Sequence, residues 1–410
     1  MRRRSPNVSR ARIGAFSSKL IASIIVGLPG KSLPPGCFRC ESAPSVRDVL
    51  KRLTYPDGHR GWLATSHELV RQVLADPRFS ARSDLRHMPV PGAPGNQAPA
   101  PPGMFNSMDP PEHTRYRRLL AGQFTVRRMR QLEQRVREIS DEHLDAVARQ
   151  SGPVDLVRTW AQPIPAQVIC ELLGVPYADR ARFHGHALDL FRLDRTPEQT
   201  AAAYSAVHEF VRDLVAAKRA APADDLLSGL TASDLTDEEL VNIGFALLGA
   251  GLDTTANMLA LGAFTALTHP GASEVLRAEP DRAIEELLRY HSVIPFTVRA
   301  ALEDVELHGE RITAGECVTL SLPEANRDPA HFADPDVLDL LRHAAGHVAF
   351  GHGVHQCLGQ QLARVELRVA LPALLTRFPA LRLAIPAADV VMRADNLVRG
   401  VVELPVVCED

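Results

Sequence analysis

Apolar positions along most of the chain recur at intervals of three and four residues, which is the period of an amphipathic helix. Helices with this pattern are predicted over 127–148, 165–173, 197–218 and 237–268. Patterns typical of strands are found in the short pieces 52–55, 61–64, 305–308, 310–312 and 317–321. Residues 293–299 have a strand-like composition interrupted by Pro295, and 381–407 alternate enough to suggest hairpins. The pattern therefore predicts helices through the middle of the chain and short strands towards its two ends.

The composition is that of an ordinary globular protein. Of 410 residues, 45% are apolar and 23% are charged, and this length provides enough core to bury a flat apolar cofactor. The net charge of −3 reveals no excess of basic residues, so nucleic acid is not an expected partner. Six cysteines in a chain of this length do not form the dense disulfide framework of a small secreted domain.

Residues 1–45 are expected to form a weakly structured N-terminal extension. An arginine-rich start is followed by the apolar run 20–28, which faintly resembles a signal peptide. This run is too short to cross a bilayer. Residues 46–410 are then expected to form a single domain in the cytoplasm, without a membrane partner.

The stretch 350–359 reads FGHGVHQCLG and is followed by a further helical pattern. A cysteine at a helix N-terminus lies at the positive end of the helix dipole, which lowers the thiol pKa and favours the thiolate. Gly351 and Gly353 allow the chain to turn tightly beneath Cys357, and Gly359 lets a flat group approach the first turn. Closed zinc and iron–sulfur sites need several such ligands, whereas one thiolate can complete an iron held by four ring nitrogens, as in haem.

The stretch 250–255 reads AGLDTT and lies inside the longest predicted helix. Gly251 in mid-helix costs about 1 kcal/mol relative to alanine, and Asp253 and Thr254 are also poor helix formers. One interpretation is a kinked core helix. The other is a catalytic site in which Gly251 makes room for O2 while Asp253 and Thr254 deliver protons, because heterolysis of the O–O bond requires two protons.

Both stretches resemble motifs of the cytochrome P450 superfamily. Residues 350–359 match its haem-binding loop, Phe-Gly-x-Gly-x-His-x-Cys-x-Gly, at every fixed position, and 250–255 match its oxygen-activation motif, Ala/Gly-Gly-x-Asp/Glu-Thr. The resemblance extends over roughly residues 46–407. It implies a mainly α fold with a small β region, the triangular prism of this family, in which haem b lies between the long helix and the helix after Cys357. Cys357 is then the iron ligand, and Asp253 and Thr254 are catalytic.

The resemblance also implies a structural pair between the two motifs. Glu286 and Arg289 match the Glu-x-x-Arg pair of the family, which supports the haem-loop side of the fold. The arginine that often completes this pair is missing, because its place is taken by Val337. Arg342 is the candidate substitute.

Further contacts to cofactor and substrate follow from the same resemblance. The substrate is expected against Ile294, Phe296 and Thr297. The haem, whose propionates suit arginine and histidine donors, is expected against His113, Arg117, Gly251, Arg299, Phe350, His355 and Gly359. The proline-rich segment 81–108 is expected to cover the pocket as a lid.

The implied activity is that of a monooxygenase, which inserts one atom of O2 into a C–H or C=C bond of a medium-to-large apolar molecule. The helices are most similar to those of actinobacterial enzymes that tailor secondary metabolites, so a macrolide or another polyketide is the expected type of substrate and antibiotic biosynthesis the expected setting. Electrons are expected from NAD(P)H through a ferredoxin reductase and a ferredoxin. The protein is expected to be a monomer.

Three other functions are alternatives to a monooxygenase. A peroxide-driven peroxygenase would not need Asp253 and Thr254. A haem-thiolate sensor or carrier without turnover would need neither these two residues nor a lid, and oxygen uptake with a surrogate ferredoxin would separate it from a monooxygenase. A zinc-binding module would lack the Soret band of haem.

Overall fold

The longest helix of the molecule extends from Asp237 to Thr268, in a computed structural model that describes residues 49–90, 98–123, 126–176, 179, 196–393 and 396–408. The N-terminal extension expected for 1–45 lies outside these residues, as does the middle of the lid segment. Helices of the described residues are α1 (His67–Ala75), α2 (Glu112–Ala121), α3 (Val126–Ala148), α4 (Pro163–Leu173), α5 (Pro197–Ala220), α6 (Leu226–Thr231), α7 (Asp237–Thr268), α8 (Ala272–Ala278), α9 (Pro280–His291), α10 (Leu322–Ala325) and α11 (Gln360–Arg377). A short π-helical segment, Val157–Ala161, precedes α4.

The bounds predicted for α7 are confirmed, and local interactions account for them. Thr236 caps the helix, since its hydroxyl accepts from the Glu239 N–H at 3.2 Å while the Glu239 carboxylate accepts from the Thr236 N–H at 2.7 Å. The helix ends at His269, before Pro270. Among the described residues, α7 alone is long and apolar enough to span a bilayer, and 67% of its most apolar window is buried inside the protein, as in a core helix.

The strands form three small sheets. The strands are β1 (Leu50–Thr54), β2 (Arg60–Ala64), β3 (Phe79–Ser80), β4 (Val154–Asp155), β5 (Phe296–Ala301), β6 (Val305–Leu307), β7 (Glu310–Ile312), β8 (Cys317–Ser321), β9 (Arg382–Leu383) and β10 (Pro405–Val407). The largest sheet has the order β1-β2-β8-β5-β3, in which only β2 and β8 run parallel, and the others are β4-β10-β9 and the hairpin β6-β7. The mainly α fold with a small β region is therefore confirmed.

The apolar core surrounds α7. This helix packs against α4 and α5 on one side and against α11 on the other, and the fully buried residues of this cluster include Trp160, Leu248 and Leu371. A second cluster fills the space between α1 and the five-stranded sheet. Packing of α7 against α11 brings the middle of α7 opposite the loop 350–359, which leads into α11, and a cavity separates them.

Candidate haem and active site

A cavity of about 460 Å³ lies between α7, the loop 350–359 and the first turns of α11. Both stretches singled out in the sequence line it, since Gly251, Asp253 and Thr254 face Phe350 and Cys357 across it. Its volume lies within the range of about 300–1,000 Å³ that is typical of small-molecule sites. The long helix and the glycine-rich loop thus form one site.

The loop reaches its shape through two glycines with left-handed backbone angles. Gly351 has φ +69° and Gly353 has φ +72°, a conformation that residues with a Cβ rarely adopt. A Cβ at Gly353 would also lie 2.5 Å from the carbonyl oxygen of Leu74 at the end of α1. The Cys357 N–H donates to the Phe350 carbonyl at 2.9 Å, which closes the loop and turns the thiol into the cavity.

The Cys357 thiol has a surface open to the cavity and is not in a disulfide. Its pKa is raised by desolvation, against the opposing effects of the Gly359 N–H, Arg117 and Arg364. The sequence-based expectation of a lowered pKa was therefore wrong for the protein alone, because burial outweighs the helix terminus, which begins only at Gln360. A bound iron atom would supply the stabilisation that the thiolate lacks in the protein alone, since coordination deprotonates a thiol.

One end of the cavity is strongly cationic. The structure brings together His113, Arg117, Arg299 and His355, as the resemblance implied, and adds Arg86. Desolvation lowers the pKa of Arg299 to about 10, of His113 to about 4 and of His355 to about 3. Neighbouring cations contribute to each of these lowered values. Nothing in the described chain forms an ion pair with the three guanidinium groups, which instead donate to Ser107, Gln356 and Val298.

These residues fit haem. Nδ1 of His113 is buried without a hydrogen-bond partner, and the cationic end as a whole lacks the anions that buried guanidinium groups require. A Cβ built at Gly359 would meet open space, so a flat group can lie against the first turn of α11. Two propionates at the cationic end would supply the missing anions. An iron atom would bind the Cys357 sulfur.

The residues on α7 form a hydrogen-bonded group on the opposite wall. Thr254 Oγ1 donates to the Ala250 carbonyl at 2.9 Å, and Asp253 Oδ1 accepts from Asn257 Nδ2 at 3.0 Å and from Arg393 Nη1 at 2.8 Å. The other carboxylate oxygen of Asp253 is buried without a partner. Asp253 is only 2% exposed, so a proton from bulk water would reach it through neighbouring groups.

Gly251 lines the cavity, but close helix packing also requires a glycine at this position. A Cβ built there would lie 3.2 Å from Cγ1 of Ile169 on α4, which is tighter than an ordinary contact. The expected role in making room for O2 is therefore not the only reason for the glycine. The close packing of α7 against Ile169 is a second reason for a glycine at position 251.

Of the three residues expected against substrate, the structure brings two to the cavity. Ile294 and Thr297 line it, whereas Phe296 is buried in a separate cluster with Leu53 and Tyr55. The reason is the alternation of a strand, because successive residues of β5 face opposite sides of the sheet. Thr297 and Arg299 face the cavity, and Phe296 faces away from it, so the assignment of Phe296 to the substrate was wrong.

The structural pair lies outside the cavity and is fully buried. Arg289 donates to both carboxylate oxygens of Glu286, each at 2.7 Å, and Arg342 Nε lies 3.2 Å from Glu286 Oε1. Arg342 thus occupies the place of the arginine that is missing at Val337. Arg289 also donates to the carbonyl oxygens of Asn326 and Pro335, which fixes the irregular segment that precedes the haem loop.

Sequence reasoning missed three residues of the site. Arg86 gave no signal, since it is an isolated arginine in a proline-rich segment, and no pattern around Arg393 links it to Asp253. Glu366 lines the cavity from α11, and desolvation raises its pKa to about 8. Its position next to Val365, on the apolar face of the predicted helix, was a signal that could have been used.

Comparisons with known proteins agree with this geometry. Residues 189–383 match the family model described as Cytochrome P450. The chain is 49% identical to cytochrome P450 105C1 of a Streptomyces species and 45% identical to nocardicin C N-oxygenase of Nocardia uniformis, each over 87% of this chain and 91% of the relative. The crystal structure of CYP105P1 in complex with filipin I superimposes with a TM-score of 0.82 at 41% identity, over 88% of this chain and 93% of that one.

Motifs, cavity and fold agree with these similarities, which extend over most of the chain. One cavity contains the Cys357 thiol, the cationic end, and Asp253 and Thr254 of α7. The fold around it is shared with solved P450 structures. The chain therefore belongs to the cytochrome P450 family and is a haem-dependent monooxygenase.

Proposed function

We propose that this monooxygenase oxidises a medium-to-large apolar molecule in secondary-metabolite biosynthesis, with Cys357 as the iron ligand and Asp253 and Thr254 as the catalytic acid–alcohol pair. The observation that carries the proposal is that the Cys357 thiol and the Asp253–Thr254 pair line one cavity from opposite walls. Apolar side chains such as Leu172, Leu247 and Ile294 line the rest of that cavity, which favours an apolar substrate.

Haem, when bound, supplies the oxygen chemistry, and the protein supplies binding, orientation and protons. Arg117, Arg299, His113 and His355 hold the carboxylates of the cofactor. Thr254 Oγ1 uses its proton to bind the Ala250 carbonyl and keeps its lone pairs for a donor in the cavity. The unpartnered Oδ2 of Asp253 is the atom that carries a proton towards Thr254.

The type of substrate is supported by what similar proteins bind or make. One relative is named for the N-oxygenation of nocardicin C, one solved neighbour contains filipin I, and another is the LnmA hydroxylase of the leinamycin biosynthetic pathway. A macrolide or other polyketide is accordingly the proposed substrate class. Bacterial members of this family generally receive electrons from NAD(P)H through a ferredoxin reductase and a ferredoxin, and we propose the same for this protein, acting as a cytoplasmic monomer.

The cysteine is tested by the spectrum of the reduced protein with carbon monoxide. Wild-type protein should give the long-wavelength Soret band of thiolate ligation, and Cys357→Ser should lose it. Cys408→Ser, which alters a cysteine outside the cavity, is the matched control and should keep the wild-type band. A thiolate-type band in Cys357→Ser would overturn the assignment.

The substrate class and the turnover are tested with the wild-type protein. Macrolides and other polyketides should shift the spin state of the iron, whereas small polar molecules should not. Ligands that do so should also raise oxygen uptake with a surrogate ferredoxin and reductase and yield a product heavier by one oxygen atom. Ligand binding without oxygen uptake would favour the sensor or carrier function instead.

A further inference from the structure

Arg86 lies at the cationic end of the cavity, on the segment between β3 and α2 that was expected to act as a lid. Its Nη2 donates to Ser107 Oγ at 3.1 Å, while Nε is buried without a hydrogen-bond partner. Desolvation lowers the pKa of the guanidinium group. A buried donor of this kind requires an acceptor, and Arg86 lines a cavity in which a bound group could supply one.

The chain on both sides of Arg86 is fixed to the body of the protein. The Cys317 thiol on β8 donates to the Leu85 carbonyl at 3.4 Å and accepts from the His87 N–H at 3.5 Å. The His87 ring points outward, where Nδ1 lies 2.6 Å from Asp57 Oδ2 and the ring stacks on His59 at 3.7 Å. Arg86 is therefore placed in the cavity by the fold rather than by a free loop.

The charges at this end indicate what Arg86 binds. Arg86, Arg117 and Arg299 line the same cavity. Within the described residues their guanidinium groups donate to Ser107, Gln356 and Val298 and form no ion pair with a carboxylate. Two propionates would supply the anions that these buried guanidinium groups lack.

We propose that Arg86 is a further haem-propionate ligand, which the fold holds at the cavity on the segment between β3 and α2. This inference rests on the proposed binding of haem through Cys357. A carboxylate of the substrate offers the same chemistry, but Arg86 lines the cavity together with Arg299 and His355, which are themselves expected to bind the propionates. The experiment distinguishes the two sources.

The first arm compares Arg86→Gln with Arg82→Gln. Arg82 is the matched control, because it lies in the same segment but is exposed and paired with Asp84 at 2.5 Å. Transfer of haem to apomyoglobin should be about tenfold faster for Arg86→Gln than for wild type, the size expected for a lost charged hydrogen bond. The reduction potential should also fall, since a nearby positive charge favours the ferrous state. Arg82→Gln should match wild type in both measurements.

The second arm repeats the transfer with protein reconstituted with haem dimethyl ester, which has no propionate charge. The difference between wild type and Arg86→Gln should then disappear. An equally large difference with the ester would mean that Arg86 acts through packing and would overturn the proposal. Equal rates with ordinary haem, together with weaker binding of acidic ligands by Arg86→Gln, would overturn it in favour of a substrate carboxylate. Failure of wild-type protein to bind haem would instead refute the proposed function.

Discussion

Arg393 forms an ion pair with Asp253, with 2.8 Å between Nη1 and Oδ1, and so joins the C-terminal segment to the middle of α7. Asn257, one turn further along α7, donates to the same carboxylate oxygen. The Asp253 side chain is 2% exposed and that of Arg393 is 14% exposed. The carboxylate that we assign to proton delivery is therefore held by two donors and reaches solvent only through its neighbours.

Arg393→Gln should lower both the free energy of unfolding and the coupling of NAD(P)H consumption to product formation. Removal of one partner from a buried ion pair typically costs about 3–5 kcal/mol, because the other charge is left uncompensated. We expect a loss near the lower end of that range by urea denaturation, together with a smaller amount of product per NAD(P)H consumed. Arg382→Gln, which removes an exposed arginine of the same C-terminal region, should change neither. A fully stable Arg393→Gln protein would show that the pair contributes little.

Thr254→Ala should uncouple electron use from product formation. Loss of the hydroxyl removes one of the two groups proposed for proton delivery, and general acid–base groups typically contribute at least about 100-fold to a rate. Product per NAD(P)H should fall about tenfold or more while hydrogen peroxide rises, as measured by product and peroxide assays. Stability should not fall, because alanine is the better helix former.

Thr254→Ser is the control for this substitution. It keeps a hydroxyl that can donate to the Ala250 carbonyl as Thr254 does, so it should retain most of the coupling. Unchanged coupling in Thr254→Ala would remove Thr254 from its catalytic role. Equal losses in both variants would indicate that the methyl group, rather than the hydroxyl, is the feature that matters.

The parts of the site that could be predicted from the sequence are those determined by local interactions. The bounds of α7 follow from a capping box at Thr236 and a proline after His269, and both signals lie within a few residues of the helix ends. The turn of the haem loop follows from glycines at 351 and 353, whose positive φ angles no other residue adopts as readily. Local chemistry of this kind is readable without any knowledge of distant partners.

The parts that could not be predicted depend on contacts between distant segments. Arg393 is 140 residues from Asp253 in the chain. Arg86 and Arg299 line one cavity, and the segment that carries Arg86 follows β3, which pairs with β5. Periodicity assigns a residue to one face of an element but does not identify what that face contacts. The raised pKa of Cys357 has the same origin, since its burial is produced by the whole fold.

The contacts of Glu286 predict that its two arginine partners contribute unequally to stability. Arg289→Ala should cost about 3–5 kcal/mol, because it leaves the fully buried carboxylate without its main partner. Arg342→Ala should cost only about 1.5 kcal/mol, since Arg289 and the Asp339 N–H still bind Glu286. Urea midpoints should rank wild type above Arg342→Ala and Arg342→Ala above Arg289→Ala. Equal midpoints for Arg342→Ala and wild type would mean that the missing arginine has no replacement.

Glu239 predicts a pH dependence of stability. Desolvation alone would raise the pKa of this carboxyl, but hydrogen bonds from the Thr236 N–H, the Tyr116 hydroxyl and Arg115 outweigh it and lower the pKa from 4.5 to about 2. A carboxyl whose pKa is lower in the folded state than in the unfolded state stabilises the fold above its unfolded pKa. This contribution is complete above about pH 5 and is lost as the pH falls towards 2.

Glu239→Gln should therefore destabilise the protein by about 1.5 kcal/mol at pH 7, the cost of a lost charged hydrogen bond, and by progressively less between pH 5 and 2. Urea denaturation at a series of pH values measures the difference. Glu238→Gln is the matched control, because Glu238 is the neighbouring acid in the first turn of α7 but is exposed. Its stability should follow that of wild type at every pH. If Glu239→Gln and wild type lost stability in parallel between pH 5 and 2, titration of the Glu239 carboxyl would not be the cause of the loss.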